Sequence, residues 1–211
     1  MHLIDKFICE FDAGLKTLFS PAHSHRSWAG EERVNENPVP LSSAEKDQSV
    51  RLMRINHCGE ICAQALYQGQ ALVARDETIR QLLQNAAQEE HDHLAWCENR
   101  LNELGGAKSI LNPLWYAGSY GLGVLSGLAG DRWSMGFLVE TERQVEKHLD
   151  NHLLQLPATD NLSRKVLEKM REDEIRHGET GKQQNAIDLP AFVKQMMRLA
   201  SKLMTRTTYW V

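Results

Sequence analysis

A repeated pattern of acidic and basic residues constrains the fold of this chain more than any other feature. Two Glu-x-x-His motifs occur in it, and a single glutamate precedes each of them by 30 residues in one case and 32 in the other. The six residues are Glu60, Glu90, His93, Glu142, Glu174 and His177. Four-helix bundles that hold two metal ions have a ligand set of this kind. It consists of one glutamate from each of two helices and a Glu-x-x-His from each of the other two.

Apolar residues recur with helical spacing along most of the 211 residues, and no segment has the alternation of a strand, so the sequence predicts an all-α fold. Ser42 and Glu45 have the spacing of a capping box, and Asp160 has the position of an N-cap. We expect helices over residues 3–19, about 43–75, about 77–104, about 131–156, about 160–186 and about 190–206. The expected organisation is an N-terminal amphipathic helix and loop over 1–41, then a ferritin-like bundle with a C-terminal amphipathic helix over 42–211.

All six residues lie within the apolar stripes of the four long helices, where a solvent-exposed role does not explain them. Buried carboxylates need a partner, because burial without one is costly. The same geometry separates the neighbouring acids. Glu140 lies about 200° around the helix from Glu142 and is expected to face outward, whereas Glu146 lies one turn beyond and is the nearest rival. Glu89 and Glu172 are expected to flank the stripes.

Residues three apart on a helix can reach one metal ion together, and a glutamate is long enough to bridge to a second ion. We assign Glu90 and Glu174 as bridging ligands. Glu60 and His93 then complete one ion, and Glu142 and His177 complete the other. Four buried carboxylates match the charge of two divalent ions. Carboxylate and imidazole ligands without thiolate favour iron or manganese over structural zinc, and open positions would remain for dioxygen.

The remaining polar groups carry weaker predictions. The net charge of −4 implies no affinity for nucleic acid. Four cysteines are too few for a disulfide scaffold and predict reduced, mostly buried thiols in a cytoplasmic compartment. The N-terminus lacks the apolar core of a signal peptide. The other histidines are expected at the surface or next to the ligands, with His148 and Asp173 as candidate partners of the metal-binding side chains. No glycine-rich fingerprint predicts a flavin or nicotinamide domain.

Residues 109–130 carry no charge, and 22 residues could span a bilayer. Their proline, glycines and polar residues make a true span a poor fit. We expect a segment that dips into one leaflet or forms an apolar mouth for a greasy substrate, with a buried helical hairpin as the alternative. Gly123-x-x-x-Gly127 fits close helix packing. The last predicted helix is amphipathic and basic, which suits an anionic membrane surface or a solvated face equally well.

Four segments carry a family resemblance: RINHCGEICAQALYQGQ, EEHDHLAWC, ETERQVEKHLDNHL and REDEIRHGETG. Together they resemble the demethoxyubiquinone hydroxylase family from about residue 51 to the C-terminus. The resemblance implies a ferritin-like monooxygenase with two iron ions, ferrous in the state that reacts with dioxygen, which hydroxylates the ring of demethoxyubiquinone or its quinol in ubiquinone synthesis. The iron ligands of the family fall on the same six residues.

The resemblance also implies a peripheral protein on the cytoplasmic side of a bacterial inner membrane, which takes an isoprenoid quinol from the quinone pool. A homo-oligomer or a lipid-presenting auxiliary protein is a possible partner. Three alternatives remain open at this point. They are a di-iron or di-manganese peroxidase or catalase, a ferritin-like protein of iron oxidation and storage, and a bundle of purely structural role.

Overall fold

The computed structural model describes residues 3–28 and 40–211, and seven helices lie within them. They are α1 (Leu3–Phe19), α2 (Ser43–Val73), α3 (Glu77–Glu103), α4 (Asn112–Leu128), α5 (Asp131–Gln155), α6 (Asn161–Gln183) and α7 (Ala191–Thr208). No strand occurs in the described ranges, as the sequence predicts. The division into two regions at residue 41 stays a prediction.

The helix termini follow local chemistry. The Ser42–Glu45 capping box opens α2, and the Asp160 side chain accepts a hydrogen bond from the Ser163 amide to open α6. The helix α3 ends before Gly105, which has a φ of 64° that favours glycine. Three predicted ends are wrong by two or three residues, because α2 stops at Val73, α6 stops at Gln183, and α7 continues to Thr208.

The helices α2, α3, α5 and α6 form the bundle. A three-residue connection joins α2 to α3, and a five-residue connection joins α5 to α6. Each pair is therefore an antiparallel hairpin. The helix α4 lies in the single long crossover from α3 to α5 and packs along the outside of α2. This connectivity, with one long crossover, is that of a ferritin-like bundle.

Two apolar layers fill the bundle, one toward each end. One contains residues from the start of α2 and the end of α3, and the other contains residues from the end of α2 and the start of α3. The first layer includes Leu52, Trp96, Leu101, Leu149, Leu167 and Met170. The second includes Leu66, Tyr67, Leu83, Met135 and Leu138. The predicted ligands lie between the two layers along α2, α3 and α5, and next to the first layer on α6.

The segment 109–130 is neither a bilayer span nor a buried hairpin. Its helix α4 packs on α2 through Gly123 and Gly127, while Leu114, Leu125 and Leu128 on its other side are exposed. A Cβ at Gly123 would lie 2.2 Å from the Leu66 carbonyl oxygen, so the close packing expected from the glycine motif is confirmed. The described part of the chain holds no helix long and apolar enough to cross a membrane.

Candidate metal centre

The four bundle helices bring all six predicted residues together at the middle of the core. Their donor atoms form two overlapping groups, each with its atoms within 4.8 Å of one another. One group is Glu60, Glu90, His93 and Glu174, and the other is Glu90, Glu142, Glu174 and His177. Glu90 and Glu174 belong to both groups, which is the position of a bridging ligand. All six side chains are buried.

Each histidine points its Nδ1 atom into the cluster. The Nδ1 atom of His93 lies 2.9 Å from Glu90, 3.3 Å from Glu174 and 3.5 Å from Glu60. The Nδ1 atom of His177 lies 3.3 Å from Glu90, 3.5 Å from Glu174 and 3.6 Å from Glu142. The two halves of the cluster therefore repeat the same arrangement, as the repeat in the sequence predicts.

A carboxylate on the opposite ring nitrogen orients each histidine. The Nε2 atom of His93 lies 3.0 Å from Asp173, and the Nε2 atom of His177 lies 3.2 Å from Glu89. These acids immediately precede Glu174 and Glu90, so each Glu-x-x-His helix orients the histidine of the other. A carboxylate at Nε2 favours a proton there and leaves Nδ1 free to bind a metal.

This pairing confirms one prediction and corrects two others. Asp173 is a partner of a predicted ligand, whereas His148 is not, because its ring contacts His152 instead. Glu89 does more than flank the stripe. The signal that sequence reasoning missed is the acid that precedes the glutamate in both motifs, Glu89-Glu90 and Asp173-Glu174.

The loop after α1 closes the His93 side of the cluster. Arg26 donates hydrogen bonds from Nη1 to Asp173 at 2.7 Å and from Nε to Asp92 at 2.9 Å. Its guanidinium group also lies 4.7 Å from the ring centre of Trp96. Residues 20–28 have no periodic pattern, so this contact could not be predicted from the sequence. The other predicted loop residues, 29–39, lie outside the described residues.

The buried charges perturb one another. Burial and the neighbouring carboxylates raise the pKa values of Glu60 and Glu142. Burial alone would also raise the pKa of Glu90, but the His93 and His177 imidazoles hold it below its ordinary value. The surrounding carboxylates in turn raise the pKa of His93 although burial opposes a charged ring. The cluster therefore holds excess negative charge whose neutralisation requires protons or cations.

The donor atoms fit metal ions. Four of these donor atoms are buried and have no hydrogen-bond partner among the described residues. They are Oε1 of Glu90, Oε2 of Glu142, Oε2 of Glu174 and Nδ1 of His177. Buried polar atoms without partners are rare in folded proteins, and here they converge on one another. Oxygen and imidazole donors without a thiolate suit iron or manganese.

Tyr67 on α2 makes a further polar contact with the cluster. Its hydroxyl group donates a hydrogen bond to Oε1 of Glu142, and the residue is fully buried. Burial and the charge of Glu142 raise the pKa of Tyr67 well above its ordinary value, so the phenol keeps its proton.

An apolar cavity of about 400 Å³ reaches the cluster from one side. Its walls come from α2, α4, α5 and α7, and its inner end is formed by Glu60, Glu142 and Glu174. Most of the other lining residues are apolar, among them Ile55, Leu66, Trp115, Leu122, Phe137 and Met197. The segment 109–130 therefore supplies one wall of an apolar entrance, which is one of the two roles expected for it.

A second opening has the opposite character. A cleft between α3 and α6 is lined by Glu77, Gln81, Glu89 and Arg176 and reaches His177. Arg176 forms an ion pair with Glu89 at this point. The apolar cavity opens between α4 and α7 and the polar cleft between α3 and α6, so the cluster can be approached from two sides.

The neighbouring residues do not join the cluster. Glu140 turns away from it as predicted, but it is not exposed: its side chain is 4% exposed and pairs with Arg143 at 2.8 Å. The expectation that Glu140 faces solvent is wrong because α5 is covered on this side by α7. Glu146 is partly exposed and faces Arg171.

Two of the remaining side-chain predictions also need correction. His57 is fully buried beside Glu98, so it is not at the surface. Cys9 is exposed, whereas Cys58 and Cys97 are buried as expected.

A helical bundle with one long crossover and a buried carboxylate–histidine cluster defines the ferritin-like class of proteins. Comparison with known families is more specific. The sequence model of the family described as ubiquinone biosynthesis protein COQ7 matches residues 47–208. The chain therefore belongs to the COQ7 family, in agreement with the resemblance found in its motifs.

Individual relatives match over their full length. A Chromobacterium violaceum protein named 3-demethoxyubiquinol 3-hydroxylase is 54% identical over 209 residues, which cover 99% of this chain and 100% of the relative. Proteins of the same name from Azoarcus sp. and Nitrosomonas europaea are 52% and 53% identical and cover 99% of this chain.

Proposed function

We propose that this protein is a 3-demethoxyubiquinol 3-hydroxylase, an enzyme that uses dioxygen to hydroxylate the quinol ring in ubiquinone biosynthesis. One observation carries the proposal: an apolar cavity ends at a buried cluster of carboxylates and histidines. The full-length relatives of that name support the same reaction.

The cofactor in this proposal is a pair of iron ions. Glu60 and His93 would hold one ion, Glu142 and His177 would hold the other, and Glu90 and Glu174 would contribute to both. Bound iron, ferrous in the reactive state, would supply the activation of dioxygen that no side chain can provide. The protein fixes the ligands in advance, because Asp173 and Glu89 hold the two imidazole rings in one orientation.

The remaining residues position the substrate and keep protons in place. The apolar walls of the cavity exclude water from the ring and bind the first part of the isoprenoid tail. Tyr67 holds a proton on its hydroxyl oxygen against Glu142 Oε1, at the inner end of the cavity. The polar cleft beside His177 gives water and protons an approach that does not cross the substrate site.

Exposed apolar rows on three helices support a peripheral position on a membrane. The helix α1 exposes Phe11 and Phe19, α4 exposes Leu114 and Leu125, and α7 exposes several more. On α7 these are Phe192, Met196, Leu199 and Leu203. The cavity lies between α4 and α7, so an isoprenoid quinol can pass from lipid to the cluster without crossing water. We place the protein on the cytoplasmic face of a bacterial inner membrane.

Peroxidase activity and iron storage need no apolar entrance, so the cavity favours the hydroxylase. The exposed apolar rows are also where a homo-oligomer or a lipid-presenting partner would bind, and both remain predictions.

The test is an assay of protein purified without oxygen and loaded with ferrous iron. We expect hydroxylated quinol from demethoxyubiquinol, dioxygen and a reductant. A Glu142→Ala variant should give no product above background, while Glu172→Gln, which changes an exposed acid on α6, should match the unmodified protein. Turnover of hydrogen peroxide without any hydroxylated quinol would contradict the proposal and favour the peroxidase.

A further inference from the structure

The apolar cavity contains one buried amide group. Asn56 lies on α2, four residues before Glu60, is 2% exposed and lines the cavity. Its Oδ1 atom lies 3.0 Å from Nδ1 of His152, and its Nδ2 atom is buried with no hydrogen-bond partner within the described ranges. A buried donor without a partner is destabilising, so its presence in this cavity indicates a ligand that accepts from it.

The Asn56 amide lies with its Oδ1 atom toward His152. Burial and the neighbouring His148 lower the pKa of His152 to about 2, so its ring is neutral at physiological pH. A neutral imidazole that donates from Nδ1 requires the amide oxygen as its acceptor. The NH₂ group of Asn56 is then the end left without a partner, and it can donate to a ligand in the cavity.

Space for a flat ring lies beside this amide. Gly59 lines the same cavity next to Glu60, and a Cβ built on it would meet no atom within 4 Å. Gly118 on α4 also lines the cavity and also faces open space. Glycine inside a helix costs about 0.5–1 kcal/mol relative to alanine, and at Gly59 no packing contact requires it. The missing side chains leave room for a ligand.

We propose that Asn56 donates a hydrogen bond to an oxygen substituent of the quinol ring and that the ring lies against Gly59. The assignment rests on the proposed function, which supplies the ring. Four residues of helix separate Asn56 from Glu60 by about 6 Å along the axis, comparable to the width of a benzoquinone ring with its oxygens. The amide thus determines which edge of the ring faces the metal-binding residues.

The experiment compares two ligands with the same decyl tail: decylubiquinone, whose ring has oxygen substituents, and decylbenzene, whose ring has none. Decylubiquinone binding is followed by quenching of tryptophan fluorescence, since Trp115 lines the cavity. Decylbenzene binding is measured by displacement of the quinone. We expect Asn56→Leu to weaken decylubiquinone binding about tenfold and to change decylbenzene binding less than twofold. Asn102→Leu, an exposed asparagine on α3, is the matched control and should change neither.

A second variant separates recognition from folding. Asn56→Leu alone leaves the His152 N–H group buried without an acceptor, so the protein can lose stability. The double variant Asn56→Leu/His152→Leu removes both partners and should melt closer to the unmodified protein. It should lose decylubiquinone affinity by the same factor. A third variant, Gly59→Leu, fills the ring site and should weaken both ligands.

Three results would overturn the assignment: a double variant that binds decylubiquinone normally, equal weakening of both ligands in the Asn56 variants, or an unmodified protein that does not prefer the quinone. The hydroxylation assay is independent of these results. A protein that binds the quinone through Asn56 but forms no hydroxylated product contradicts the proposed function and leaves the ring site intact.

Discussion

At the scale of single residues, the partners of a buried carboxylate separate the proposed ligands from their neighbours. Glu140 and Glu142 are two residues apart on α5, and both are buried. Glu142 faces two other carboxylates, Glu90 and Glu174, whereas Glu140 pairs with Arg143 and accepts a hydrogen bond from the Gln144 amide. The two glutamates therefore have different roles on opposite sides of one helix.

This difference predicts unequal effects of two substitutions. Glu142→Ala removes a non-bridging ligand, so the iron content should fall from two ions per chain to one or fewer. Glu140→Ala should bind two ions and lose about 1 kcal/mol of unfolding free energy with its buried hydrogen bonds. Metal analysis by mass spectrometry, with thermal melting of both variants, checks this. Similar iron losses in the two variants would show that the assignment of the α5 ligand is wrong.

A buried histidine predicts how stability depends on pH. Burial lowers the pKa of His148 to about 4, and an unfolded histidine titrates near 6.5. Between about pH 4 and pH 6.5, the unfolded chain therefore binds a proton at His148 and the folded chain does not. Stability falls as pH decreases through that window, by about 1.4 kcal/mol per pH unit for this one group.

Substitution of His148 by leucine isolates that contribution. The unfolding free energy of His148→Leu relative to the unmodified protein should rise as pH is lowered from 7 to 5 and stay constant above pH 7.5. Urea denaturation at a series of pH values measures it. Parallel curves for the two proteins across the whole range would mean that His148 has the same pKa in the folded and unfolded states, which contradicts the lowered pKa.

The residue scale also shows what sequence reasoning can identify. All six members of the cluster follow from helical spacing, because each lies on an apolar stripe. Arg26 does not, because a loop without periodicity brings it to Asp173 from 147 positions away. Glu89 was missed for a different reason: it lies at the edge of its stripe and acts on a histidine of another helix.

At the scale of helices, α4 differs most from its neighbours. It has no charged side chain, and its glycines let its backbone approach α2 very closely. Its exposed leucines leave a second face free. The Gly123-x-x-x-Gly127 motif predicts the first feature but not the second, because an uncharged segment also fits a buried hairpin. Only the contacts with α2 decide between them.

The close packing of α2 and α4 predicts a position-specific loss of stability. Gly123→Ala places a Cβ against the Leu66 carbonyl group and should lower the unfolding free energy by about 2 kcal/mol. Gly121→Ala on the same helix meets no atom within 4 Å and should melt at or slightly above the normal temperature. Calorimetry of both variants tests this. Equal melting temperatures would contradict the packing of the two helices.

The exposed face of α4 predicts lipid binding. Leu125 is 65% exposed on α4, and Leu154 is 85% exposed at the end of α5, away from the three apolar rows. Leu125→Glu should weaken binding to phosphatidylglycerol vesicles at least tenfold, because it removes apolar burial and adds repulsion. Leu154→Glu should bind as the unmodified protein does. Sedimentation with vesicles measures both, and the idea fails if the two variants behave alike.

At the scale of the whole molecule, the four bundle helices support a site with two different approaches. The apolar cavity lies between the added helices α4 and α7, and the polar cleft lies between α3 and α6. The bundle can be predicted from the sequence, because it depends on hydrophobic periodicity and on short connections between paired helices. The positions of α1, α4 and α7 cannot be predicted in this way, because they depend on contacts between helix faces that form only in the folded protein.

The central claim is that six side chains hold two iron ions at the middle of this bundle. Crystals of iron-loaded protein, measured at the iron absorption edge, test it most directly. We expect two anomalous peaks about 3.5–4 Å apart, with Glu90 and Glu174 between them. A single peak, or iron bound away from these residues, would contradict the account.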